Sequence, residues 1–177
     1  MFKKILLLVT VSFFYINSFS QMTIGFGLGV LRQQRESFNR ALNINGGIYL
    51  IKNISIETSY SYAKAEGWTV YPEKYNELNF DILYHQKNIS KVFKPYLFVG
   101  INYSEINTLE YIQIEYEDEW TMDYTIIPKY KYGVNLGVGI MLITNKKINP
   151  FLQYKRIIIN HFQQSEILLG IKYHIKI

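Results

Sequence analysis

Residues 167–177 alternate without a fault. Ile167, Leu169, Ile171, Tyr173, Ile175 and Ile177 share one parity, while Gly170, Lys172, His174 and Lys176 dominate the other. Side chains of a strand point to opposite faces in turn, so this segment predicts a strand with one oily and one mostly polar face. The same rhythm recurs along the chain and predicts strands at 22–30, 42–50, 54–62, 77–85, 95–103, 130–142, 152–155 and 167–177. Pro95 opens the fifth, at a position where a strand tolerates proline. A short helix is compatible with residues 31–42, but glycines and β-branched residues elsewhere favour strands.

Alternation alone does not say which parity faces inward, because a soluble ligand-binding barrel has the same rhythm with its apolar set inside. Here the polar parity combines Gly25, Gly27, Gly29, Gly47, Gly133, Gly137 and Gly139 with Glu57, Asp81, Lys155 and Lys172. An eight-stranded barrel has just enough interior for side chains, so long charged groups inside need glycine neighbours, and mixed signs can pair there. The apolar parity is uniformly large, as a lipid-facing band requires. Tyr60, Tyr62, Tyr84, Tyr103, Tyr130, Tyr132 and Tyr173 lie on it near strand ends, where interfacial girdles belong. The expected fold is therefore all-β, an eight-stranded antiparallel up-and-down transmembrane barrel. Glu57, Asp81, Lys155 and Lys172 would form a charge network filling its lumen.

The ends of the chain sharpen this. Lys3 and Lys4 precede an apolar run over 5–16, and Ser18 and Ser20 precede Gln21 in the pattern of a secretory signal cleaved after Ser20. That run is too short for a spanning helix. Residues 1–20 are thus expected to be a cleaved signal, and residues 21–177 one barrel domain. Of the 177 residues, 157 remain; eight strands of about 10 residues fit that length better than fourteen or more. There is no cysteine, which excludes disulfides and thiol chemistry. Net charge is +5, or +3 without Lys3 and Lys4, and the basic residues are dispersed, unlike a nucleic-acid footprint. Sixteen tyrosines against two tryptophans suit a protein with two membrane interfaces to line.

The export signal ending Ser18-Phe19-Ser20-Gln21, the glycine-alternating first strand and the terminal segment from Leu169 to Ile177 resemble the small outer-membrane β-barrel proteins of Gram-negative bacteria, of the OmpA/OmpX-like type. The resemblance spans essentially the whole mature chain and is one of architecture rather than of a specific motif. It implies an outer-membrane location and recognition of the C-terminal strand by the barrel-assembly machinery. That strand commonly ends in Phe in the family, and here it ends in Ile177.

With an even number of strands both termini lie on the periplasmic side. Periplasmic turns are then expected at 51–53, 86–94 and 144–149, and outer loops at 31–41, 64–74, 104–129 and 159–164. In the third outer loop, Ile112, Ile114 and Tyr116 alternate upward and Trp120, Met122, Tyr124 and Ile126 alternate back, predicting a hairpin that continues strands five and six beyond the bilayer. Tyr116 and Trp120, with Trp68 of the second loop, are candidate partner-binding anchors. The alternative is that the hairpin's apolar face packs on the second loop and shields the mouth.

Candidate chemistry is sparse. A serine esterase needs a hydroxyl, a base and an acid, and His161, Ser165 and Glu166 lie close in sequence, but the His-x-Ser pattern of outer-membrane lipid A deacylases is absent. His174 falls on the lumen parity, and His85 is expected to be solvated in a turn. No metal ligand set or phosphate-binding glycine motif is present, and no cofactor is expected. The expected role is structural or adhesive, without catalysis, with lipid, lipopolysaccharide and a surface protein or host ligand as partners and a monomeric state. The runner-up is a lipid-modifying enzyme. The second runner-up is a soluble barrel around an apolar ligand.

Overall fold

The computed structural model describes residues 21–33, 38–64, 74–86, 92–116, 119–144, 147–159 and 162–176. They form eight strands: β1 (Gln21–Gln33), β2 (Phe38–Ile51), β3 (Ile54–Lys64), β4 (Lys74–His85), β5 (Phe93–Tyr116), β6 (Glu119–Leu142), β7 (Ile148–Ile159) and β8 (Phe162–Lys176). Each is antiparallel to the next, and β1 pairs with β8 from Gln21↔Lys176 to Gln33↔Gln164, closing the sheet. Closure removes the free edges that an open sheet would present to lipid, where no water satisfies backbone groups.

The outer wall carries the apolar parity. Leu168 is 1% exposed and its neighbour Leu169 is 64% exposed, the one pointing into the lumen and the other away from it. Ile24, Phe26, Leu28, Ile44, Ile82, Ile101, Val138 and Ile171 are likewise turned outward, while Asn43, Asn79, Asn135, Lys155 and Glu166 are buried. A soluble barrel would invert this arrangement. The wall is built for lipid, and the fold is a transmembrane barrel.

Seven of the eight strands start or end near their expected positions at the end of the barrel that holds both termini. At the opposite, far end they run further. Pairing continues to Arg32↔Phe38, Lys64↔Lys74 and Ile159↔Phe162, so the described parts of the expected loops at 31–41 and 159–164 are strand, β3 and β4 reach the two ends of the loop expected at 64–74, and no helix forms in the described part of 31–42. Beyond the apolar band the outward positions become polar, as at Arg32, Arg40, Lys64 and Lys74, while Leu31, Ala41, Ala63 and Tyr75 turn inward, so the contrast between the faces reverses although the backbone ladder continues. In β7 the rhythm is hidden for another reason. Ile157 and Ile159 are buried inside while Ile158 faces out, so three isoleucines in a row carry no alternation.

The lumen is layered. Near the termini end Leu83, Tyr96, Phe98, Met141, Phe151 and Leu168 form an apolar cluster. Toward the far end Leu31, Ala41, Ala63, Tyr75 and Ile106 form a second, with Ala41, Ala63, Tyr75 and Ile106 directly opposed across four strands. Polar groups fill the space between. The inward glycines make room for more than charges. Gly100 leaves space for Asp81, as expected, but Gly139 and Gly137 lie opposite Tyr96 and Phe98, and a Cβ at either position would collide with the facing ring. Rings are the widest groups the narrow lumen holds, so they set where a side chain must be missing.

Candidate functional site

Three places carry chemistry: the polar layer of the lumen, the tyrosines of the outer wall and the hairpin at the far end. In the lumen the four sequence-predicted charges are all inward and buried: Glu57, Asp81, Lys155 and Lys172. The barrel sorts them into separate groups. Glu57 on β3 pairs with Lys172 on β8 across the lumen. Lys155 on β7 lies 2.5 Å from Glu166 of β8 and 3.6 Å from Glu77 of β4. Asp81 accepts a hydrogen bond of 2.9 Å from the Asn135 side chain. Lys172 also lies over the rings of Tyr96 and Phe151, 5.4 Å and 5.1 Å from their centroids. Such pairs compensate buried charges for lost water, and removing one partner leaves the other stranded.

Sequence reasoning missed both partners of Lys155. Glu77 shares the inward parity of Asn79 and Asp81, a signal present in the sequence. Glu166 is drawn instead toward His161 and Ser165 by its place in the chain. The trio does not assemble from what is described: Glu166 is fully buried in the lumen, whereas Ser165 belongs to the outward parity, its hydroxyl 3.3 Å from that of Tyr154. His161 lies outside the described residues.

The amides were also missed. Asn79 accepts from both Asn102 (2.7 Å) and Asn135 (2.9 Å) and donates to Ser59 (3.3 Å), and Ser104 donates to Asn102 (2.5 Å). On the adjoining β2, Asn43 donates to Ser61 of β3 and accepts from Asn45, each at 2.9 Å. Asparagine is both donor and acceptor, so amides can link one to the next without net charge, which suits a low-dielectric interior.

At the termini end the two described histidines lie among rings. His85 is buried rather than solvated. Its Nε2 is 2.9 Å from the Ser55 hydroxyl, and its ring centroid is 4.9 Å from that of Tyr49 and 5.6 Å from that of Tyr96. It is the last inward position of β4, so the parity of that strand overrides the adjoining turn. His174 lies 6.1 Å from Tyr49, ring to ring. Among the described residues no group of three or more His, Asp or Glu side chains is placed to hold a metal ion.

On the outer wall Tyr103 stacks on Tyr130, with centroids 5.9 Å apart and planes 6° from parallel, and meets Tyr132 at 5.2 Å. With Tyr60 and Tyr62 they form a belt toward the far end, while Tyr84 and Tyr173 lie near the termini end.

The hairpin is the longest paired element. Pairing of β4 with β5 stops at Tyr75↔Ile106 and pairing of β6 with β7 at Gly133↔Ile159, but β5 and β6 remain in register up to Tyr116↔Glu119. This register separates the two candidate anchors. Trp120 is opposite Glu115 and Tyr116 is opposite Glu119, and directly opposed residues share a face. Tyr116 and Trp120 therefore occupy positions on opposite faces of the ribbon, not on one apolar face. Trp68 lies outside the described residues.

A closed wall of eight antiparallel strands, apolar outside and polar within, defines a small transmembrane β-barrel. No protein-family model matches the chain, and no curated protein matches it in sequence. Solved structures share its fold. Neisserial surface protein A superposes with a TM-score of 0.64 at 11% identity, covering 87% of this chain and 96% of its own. A major outer membrane protein from Thermus thermophilus gives 0.64 at 12% identity, covering 89% and 100%. Ail, the attachment invasion locus protein of Yersinia pestis, in complex with the heparin analogue sucrose octasulfate, gives 0.57 at 11% identity, covering 88% and 97%. The architecture is thus that of the small outer-membrane barrels.

Proposed function

We propose that this chain is an integral outer-membrane protein, exported by a signal cleaved after Ser20, whose role is surface interaction or adhesion through its extracellular end rather than catalysis. The far end of the barrel is then extracellular and the termini end periplasmic. The observation that carries this is the β5–β6 hairpin, a paired ribbon that outruns both neighbouring strands. Ordering a ribbon beyond the bilayer is costly in conformational entropy, and a surface for a partner gives that order a use. Surface protein A and Ail, an attachment protein by its name, have the same fold, which is consistent with such a role.

The hairpin's charge narrows the partner. Between Glu105 and Pro128 the sequence holds seven acidic residues and no Lys or Arg. A sulfated sugar like the one bound to Ail is repelled by such a ribbon; a neutral or basic protein surface fits it better. Tyr116 and Trp120 serve as anchors on its two faces, with Trp68 contributed by the second loop.

The lumen is proposed to act as a plug, with Glu57–Lys172, Glu77–Lys155–Glu166 and Asp81–Asn135 tying its walls together. The chain is a monomer in this account, and β8 carries the assembly signal. Binding of cells displaying Tyr116→Ala or Trp120→Ala barrels is expected to fall, and unchanged binding by the double variant sinks the anchor roles. Purified protein in planar bilayers is expected to show no large steady conductance, and a wide open state would contradict the plug.

A further inference from the structure

The far end of the outer wall carries a row of cations that the backbone holds together. Arg40 of β2 is directly opposite Lys64 of β3, and Lys64 is directly opposite Lys74 of β4. All three are outward and exposed. Adjacent strands are about 4.8 Å apart, so the three residues span roughly 10 Å. Like charges directly opposite on one face repel, and a closed ladder prevents their backbones from separating. On β1, β8 and β7 a second pair of cations lies one outward position beyond the register row of Arg40, where Arg32 and Arg156 flank Ser165 in register.

The height of the row is informative. Arg40, Lys64 and Lys74 each lie one outward position beyond the row Leu42, Tyr62 and Asn76. Beneath, Tyr60 donates to Asn76 at 2.8 Å, and Asn76 donates to Glu105 at 3.3 Å. Glu105 is therefore engaged one row lower, and no acid shares the register row of Arg40, Lys64 and Lys74. The cations sit where the tyrosine belt ends and lipid headgroups begin. Arg32 and Arg40 already have interactions of their own, so the weight falls on Lys64 and Lys74.

We infer that the Arg40–Lys64–Lys74 row is a binding site for the phosphate groups of a phosphorylated glycolipid in the outer leaflet. This rests on the reading that the far end faces outward in an outer membrane. A multiply charged phosphate placed over the row converts mutual repulsion into shared attraction. Lysine acts there as a point charge and arginine as a fork. The acidic hairpin is repelled by the same headgroups and is held away from the lipid surface.

The test is a sign reversal. The full mature chain, wild type and Lys64→Gln/Lys74→Gln, is folded in bilayers without phosphorylated glycolipid, with a diphosphorylated glycolipid, and with the same lipid dephosphorylated. The temperature at which the compact gel band is lost is read in each. Without phosphate the variant is expected to match or exceed the wild type, because repulsion has been removed. With the phosphorylated lipid the wild type gains thermal stability, the variant loses most of that gain, and the order reverses. Lys64→Arg/Lys74→Arg keeps the wild-type gain. An equal gain in the Gln variant, or an equal gain with the dephosphorylated lipid, overturns the site. So does inorganic phosphate alone reproducing the whole gain, since that identifies a simple anion site. If the wild type never gives a heat-modifiable band, it is the membrane-barrel reading that fails instead.

Discussion

The two faces of the barrel wall are made from the same strands, often from adjacent residues, yet they obey different rules. Outside, Ile24, Phe26, Leu28, Ile82, Val99 and Leu169 need only be large and apolar, because lipid chains fill whatever shape they leave. Inside, many groups have a particular partner. Lys155 needs Glu77 and Glu166, Tyr96 needs the missing side chain at Gly139, and Asn79 needs Asn102 and Asn135. A fluid solvent makes the outer face tolerant. A closed, close-packed lumen makes the inner face specific.

The contrast is most strongly tested at Lys155. Lys155→Met leaves two buried carboxylates without their cation and is expected to destabilise by about 3–5 kcal/mol, read as a lower unfolding temperature of the compact gel band. Adding Glu77→Gln and Glu166→Gln should restore most of the loss; if it does not, Lys155 matters for shape rather than charge. Next is the neighbouring pair Leu168 and Leu169. Leu168→Ala opens a cavity in the lumen and is expected to cost about 2–5 kcal/mol, whereas Leu169→Ala, where lipid refills the space, costs clearly less. Equal losses would mean that the two faces do not differ as described.

A smaller effect is expected from filling one of the glycine gaps. Gly139→Val drives a side chain into the Tyr96 ring and should cost about 1–3 kcal/mol, and pairing it with Tyr96→Ala should recover part of that in the same assay. Smallest is Tyr103→Ala on the outer belt, which removes the stack on Tyr130 and is expected to cost about 0.5–1.5 kcal/mol. Tyr103→Phe should be closer to wild type, since the ring contact survives.

Much of this was legible in the sequence, though unevenly. The strands whose two faces contrast, such as β1 and β8, could be read from alternation alone, and so could the inward position of Glu57, Asp81, Lys155 and Lys172. The pattern failed where the contrast between the faces was lost or reversed. At Ile157–Ile159 both faces are apolar, and at the far end Arg40, Lys64 and Lys74 face out beside inward Ala41, Ala63 and Tyr75, so strands continue there against the rhythm of the wall. His85 is misread when its turn is weighed above its parity. The hairpin was legible as a paired ribbon, but the faces on which Tyr116 and Trp120 fall were not, because that depends on the turn register rather than on either strand.

The sequence by itself determined which parity of each strand is oily, how many strands there are, and hence that a barrel of this length presents an apolar wall. Each of those is a local property, fixed by alternation at a period of two. Only the tertiary structure decided who meets whom inside. Glu57 reaches Lys172, 115 positions away in sequence, and Lys155 divides itself between a neighbouring strand and one across the lumen. Those partnerships follow from the stagger with which β1 closes on β8, a property of the whole sheet that no single strand encodes.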